Sequence, residues 1–183
     1  MLTLLLGGAR SGKSALAERL AAASGEPVSV IATARAEDAD MRARITRHQA
    51  DRPAVWSTIE EPISLISAIE SVAPDVCVIV DCLTLWTSNL LLAGSPIPEI
   101  EAASRSTAAL AAARPGATIV VSNEVGLGIH PTSELGMVYR DLHGRCNRDW
   151  AGAADRAFLV VAGHVLRLES ACDLMPELRE SRV

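Results

Sequence analysis

Gly7-Gly8-Ala9-Arg10-Ser11-Gly12-Lys13-Ser14 follows the apolar run Leu2 to Leu6 and opens an Ala/Leu-rich stretch that stops at Gly25. It fits the pattern GxxxxGK[ST], and its setting fits too, with a strand in front and a helix behind. Glycine accepts the backbone angles that turn successive N–H groups inward toward phosphate oxygens. The start of the following helix adds partial positive charge. In such a loop the lysine, here Lys13, reaches the β- and γ-phosphates of a nucleoside triphosphate. The next hydroxyl, on Ser14, ligates Mg2+. A chance glycine turn would need the spacing and both flanking elements to coincide.

Working outward, short continuous apolar runs recur at Val28 to Ala32, Val76 to Asp81, Thr118 to Ser122 and Ala157 to Val161. Such runs fit strands buried on both faces. Val165 to Leu168 follows Gly163-His164 and predicts an antiparallel closing strand. Helical stretches alternate with them: Ser14 to Ser24, Glu37 to Ala50, Ile63 to Val72, Leu83 to Ala93, Pro98 to Ala113 and Ser133 to Ala151. Most stop at glycine or proline. The expectation is an α/β fold, P-loop NTPase-like (RecA-like). Its mostly parallel sheet would be flanked by helices and carry a C-terminal antiparallel strand. Residues 1–170 read as a single domain, and 171–183 as a loosely ordered tail.

Composition agrees. Of 183 residues, 49% are hydrophobic and only 3% aromatic, which suits helices on a buried sheet. The net charge of −5 carries no basic block, which argues against nucleic acid as a partner. Cys77, Cys82, Cys146 and Cys172 form no CxxC pair and no zinc spacing, and read as thiols in a reducing, cytoplasmic compartment. No apolar run reaches the ~18 residues of a membrane span. The apolar start lacks the basic residues of a secretory signal and runs directly into the glycine loop.

Asp81 ends an apolar strand, as the Mg2+-holding carboxylate of such folds does; capping of the next helix is the alternative. No Asn-Lys-x-Asp guanine reader is present, since Asn147-Arg148-Asp149 does not fit, and a regulatory GTPase is disfavoured. Met41, Ile45 and His48 share one helix face, with Arg44, Arg47 and Arg52 close in sequence. A histidine among arginines is poorly placed to hold a metal and well placed to meet phosphate. Its imidazole can attack an α-phosphorus while the arginines stabilise the departing pyrophosphate. Pattern alone leaves open a half-buried or surface histidine on an amphipathic helix.

The chain resembles the bifunctional adenosylcobinamide kinase/adenosylcobinamide-phosphate guanylyltransferase family of cobalamin biosynthesis. The resemblance rests on the Gly7 to Ser14 loop, Ile31-Ala-Thr-Ala34, Arg44-Ile-Thr-Arg-His48, Arg52-Pro53 and Glu60-Glu-Pro62. It continues through Asp81-Cys-Leu-Thr-Leu-Trp86, Asn123-Glu-Val-Gly126 and Tyr139-Arg-Asp-Leu-His-Gly-Arg145. It implies an enzyme with two activities. The first phosphorylates adenosylcobinamide with ATP or GTP. The second guanylylates His48 from GTP and passes GMP to adenosylcobinamide phosphate. Some members carry two adjacent histidines; here Arg47 precedes His48, so His48 alone fills the role. The resemblance also implies a homotrimer. It assigns nucleotide contacts to Gln49, Ala50, Asp51, Arg52 and Glu60.

Ala32, Thr33 and Ala34 follow the second strand at the carboxyl edge, where open α/β sheets bind ligands. Glu60 suits the paired N–H donors of guanine, with a helix-start acid as the alternative. Glu124 is a candidate general base for a substrate hydroxyl, or a carboxylate that holds Mg2+ or caps a turn. The remaining histidines, His130, His143 and His164, show no partner in sequence and read as structural. Asp141, Arg145 and Asn147 are expected to bond within the long helix or between subunits.

Overall fold

The computed structural model describes residues 1–35 and 52–175, apart from the side chain of Cys172. The expected helix Glu37 to Ala50 lies outside the described residues, as do His48, Gln49, Ala50 and Asp51.

Seven strands form one sheet: β1 (Leu2–Leu6), β2 (Val28–Ala32), β3 (Ser57–Glu60), β4 (Cys77–Asp81), β5 (Thr118–Val121), β6 (Arg156–Val161) and β7 (His164–Leu168). Their order is β3-β2-β4-β5-β1-β6-β7. All neighbours pair parallel except β6 and β7, which close the edge as an antiparallel hairpin. The α/β fold and its final antiparallel strand are as expected. The short β3 is not in the sequence reading. Three of its four residues are exposed, so no apolar run marks it, and pairing with β2 defines it as a strand.

Among the described residues six helices accompany the sheet: α1 (Lys13–Ser24), α2 (Leu65–Ser71), α3 (Leu83–Leu92), α4 (Ile97–Ala113), α5 (Glu134–Ala153) and α6 (Ala171–Leu174). Their ends fall within two residues of the pattern-based bounds, except α6, which lies in the expected tail. Strand side chains alternate between faces. Leu2, Leu4, Leu6, Val78, Val80 and Val120 pack with Trp86, Ile100, Leu142 and Trp150 from α3, α4 and α5. Leu5, Val28, Val30, Ile79 and Ile119 pack on the other face with Ala17 and Ala21 of α1. The register aligns the carboxyl ends: Ala32 lies opposite both Asp81 and Glu60, and Asp81 opposite Val121. The motif residues therefore converge at one edge.

Candidate active site

The loop between β1 and α1 is built as its glycines require. At Gly7 φ is +149°, and a Cβ there would meet the Val160 carbonyl oxygen at 2.3 Å. Gly12 precedes α1 at φ +100°, with the turn between β6 and β7 behind it. Gly163 N donates to Ser11 O at 2.9 Å, so the terminal hairpin buttresses the loop. Lys13 Nζ donates to Gly7 O at 2.8 Å and Gly8 O at 2.6 Å, and lies 3.4 Å from Ser11 Oγ. Lys13 is only 5% exposed. The ammonium thus stands inside the loop, held by two carbonyl dipoles.

Asp81 comes from the end of β4. Ser14 Oγ lies 3.4 Å from Asp81 Oδ1. Arg52 Nη2 lies 3.8 Å from Asp81 Oδ2, and Arg52 Nε donates to Glu18 Oε1 at 3.3 Å. Serine, aspartate and arginine, from three separate segments, therefore meet at the mouth of the loop. Among the described residues no group of three or more His, Cys, Asp or Glu could hold a metal ion. One hydroxyl and one carboxylate fit Mg2+, which keeps waters and takes its other ligands from substrate phosphates. Glu18 escaped the sequence reading, although its place one turn after Ser14 on α1 was the available signal.

Thr33 is fully buried and serves β4. Its Oγ1 donates to Cys82 O at 2.7 Å and accepts from Cys82 N at 2.9 Å. Asn89 Nδ2 donates to Thr33 O at 2.8 Å. Ala32 and Ala34 flank it half-buried. Glu60 ends β3 and is exposed, while the adjacent Glu61 accepts from Ile63 N and Ser64 N ahead of α2. Cys82 is no nucleophile, because burial, and then the adjacent Asp81, push its thiol up to about 11.

The end of β5 is held from beneath. Asn123 O accepts from Asn147 Nδ2 at 3.0 Å and lies 3.1 Å from His143 Nε2. Ser122 Oγ donates to Asn147 Oδ1 at 2.6 Å. Burial holds the His143 imidazole down at about 4, so it is neutral near pH 7. A carbonyl only accepts, so Nε2 carries the proton, and Nδ1 faces Thr87 Oγ1 at 3.3 Å. Glu124 N donates to Gly7 O at 3.2 Å, the carbonyl that Lys13 also uses. His143 is structural, as expected, with partners from the end of β5 and from α3. One expectation is corrected at two residues: Asn147 bonds across to β5 and Arg145 to Glu101 of α4 rather than along their own helix, whereas Asp141 pairs with Arg140 within it. His130 and His164 are exposed and, among the described residues, face nearby carbonyls. Trp86 and Trp150 are buried packing residues.

A glycine loop before a helix, with Lys13, Ser14 and a strand-end Asp81 converging at the carboxyl edge, defines a P-loop nucleotide-binding protein. Solved structures agree on the fold. The chain is similar to the type III secretion ATPase EscN of enteropathogenic E. coli (TM-score 0.56, 12% identity, covering 88% of this chain and 43% of that one). It is also similar to a Pyrococcus horikoshii OT3 protein (TM-score 0.54, 9% identity, covering 95% and 88%). The family model for cobinamide kinase / cobinamide phosphate guanyltransferase matches residues 3–168. The bifunctional adenosylcobalamin biosynthesis protein CobP of Pseudomonas aeruginosa is 48% identical over 164 residues, covering 89% of this chain and 94% of that protein. The corresponding CobU proteins of Salmonella typhimurium and Escherichia coli are 39% and 38% identical, each covering 89% of this chain and 97% of the relative. The chain therefore belongs to the cobinamide kinase / cobinamide phosphate guanyltransferase family, and is an enzyme. Among the described residues no helix is long and apolar enough to cross a membrane.

Proposed function

We propose that the enzyme phosphorylates the aminopropanol hydroxyl of adenosylcobinamide with ATP or GTP. It then moves GMP from GTP through His48 to adenosylcobinamide phosphate, giving adenosylcobinamide-GDP and pyrophosphate. The observation that carries this reading is the meeting of Lys13, Ser14, Asp81 and Arg52 at one sheet edge. Arg52 follows His48 by four residues in the sequence, which connects the nucleophile's segment to the cradle.

In the first step Lys13 exchanges its Gly7 and Gly8 carbonyls for phosphate oxygens and stabilises charge on the transferred group. Ser14 and Asp81 would hold Mg2+, which when bound neutralises charge on the β- and γ-phosphates. Glu124, tied to Gly7 through its backbone, supplies a carboxylate at the rim of the cradle for the hydroxyl proton. In the second step a His48 nitrogen forms a bond to the α-phosphorus as the bond to the pyrophosphate oxygen breaks. An oxygen of the acceptor phosphate then attacks the same phosphorus and frees the imidazole. Ala32, Ala34 and Glu60, at the ends of β2 and β3, suit the base and ribose side, with Glu60 accepting the guanine N–H donors. Free Cys77, Cys82 and Cys146 support a reducing, cytoplasmic setting. A homotrimer is part of the reading. The exposed Val161, Val165 and Leu166 on the β6–β7 edge leave apolar surface for such contacts.

The test uses GTP labelled at either the α- or the γ-phosphorus, incubated with adenosylcobinamide. Both labels are expected in the corrinoid product. The γ-label alone would mean a single-function kinase. Neither label would mean a non-catalytic nucleotide-dependent binding module.

A further inference from the structure

An open groove of about 400 Å³ runs along α5, lined by Gly126, Arg140, Asp141, Gly144, Arg145 and Arg148. Three arginines and one aspartate line it, in a chain whose net charge is −5. Arg140 pairs with Asp141 through Nε and Nη2. Arg145 uses Nε on Glu101, which leaves its two terminal nitrogens for other acceptors. Arg148 is exposed and takes no hydrogen bond or ion pair among the described residues.

Gly144 is the second observation. It lies inside a 20-residue helix, where glycine costs about 1 kcal/mol against alanine. No close packing requires it, because a Cβ there would meet nothing within 4 Å. The missing side chain keeps the middle of the groove open down to the helix backbone, between the arginines. The groove also borders the cradle. Gly126 N donates to Glu124 Oε1 at 3.0 Å, and Glu124 N donates to Gly7 O at 3.2 Å.

We propose that this groove binds the phosphate monoester of the acceptor during guanylyl transfer. The inference rests on the two-step reading above. After the first step the acceptor carries a new dianion, while a fresh GTP triphosphate must occupy the cradle. The dianion then needs a cationic site outside the cradle but beside it. Within the cradle, the fresh triphosphate takes Lys13 in the same reading, and Arg52 is paired with Glu18 and Asp81. The α5 groove offers the Arg148 guanidinium and the terminal nitrogens of Arg145, a geometry that matches phosphate oxygens two at a time.

The test compares wild type with the double variant Arg140→Gln/Arg148→Gln and with Gly144→Leu, which fills the groove without changing charge. In both, KM for the phosphorylated acceptor in guanylyl transfer should rise at least about tenfold, well beyond any rise for the unphosphorylated acceptor in the kinase step. Labelling of the protein by α-labelled GTP should persist. If labelling persists and KM for the phosphorylated acceptor stays within twofold in both variants, the groove is not its site. If the variants instead lose oligomeric mass by sedimentation, the face joins copies of the chain and the proposal fails. Absence of label in wild type would overturn the two-step reading itself.

Discussion

The phosphate cradle and the end of β5 touch at one carbonyl, Gly7 O, yet they are assembled in opposite ways. The cradle is contiguous: eight consecutive residues set its shape through glycine conformations and one lysine. The β5 end is composite. Asn123 is fixed by Thr84 of α3 and by His143 and Asn147 of α5. The first region is held by the Lys13 bonds to Gly7 O and Gly8 O and by the Gly163 bond to Ser11 O. The second is rigid because buried polar groups would otherwise lose their partners. Substitutions in the first should act on phosphate chemistry or on backbone geometry. Those in the second should act on stability and its dependence on pH.

The largest effect is expected at Lys13. Lys13→Ala should lower the phosphoryl-transfer rate by about 10²–10³-fold, the usual cost of removing one donor to developing charge, measured by γ-label transfer. A loss below tenfold would mean that the cradle does not hold the transferred phosphate. Gly7→Ala forces a Cβ onto the Val160 carbonyl and should cost about 3 kcal/mol of stability, read by denaturant unfolding.

At the composite end, pH is the sharper probe. The His143 imidazole is held from 6.5 down to about 4 by burial. Between those values the unfolded chain binds the extra proton and the folded chain does not. Its contribution is therefore complete above pH 6.5 and lost as pH falls toward 4, by up to about 3 kcal/mol. His143→Gln keeps an N–H donor but cannot titrate, and should flatten that part of the stability profile. An unchanged profile would show that His143 is not the titrating group. The smallest effect is Ser122→Ala, which removes the donor to Asn147 Oδ1 and should cost about 1–2 kcal/mol.

The same contrast explains what was legible in the sequence. The cradle could be read because spacing, strand and helix lie together in sequence. Asp81 could be read because an apolar run ended on a carboxylate. The polar bracket beneath Asn123 was hidden, because its members come from three segments. The i, i+4 pair His143 and Asn147 gave the only hint, and it did not name β5 as the partner. The strand β3 was hidden for a related reason: Ser57–Glu60 is mostly exposed, and its strand character comes from β2 alongside. The roles of His48 and its neighbours come from the family resemblance, and those residues lie outside the described structure.

The central claim is that one cradle presents two different phosphorus atoms, with His48 as the nucleophile for the second. Incubating the protein with α-labelled GTP alone, then denaturing it, tests this most directly. The account predicts a covalent label that is stable to alkali, labile to acid and absent from His48→Ala. A label of the same stability that survives in His48→Ala, or no covalent label in wild type, would contradict it.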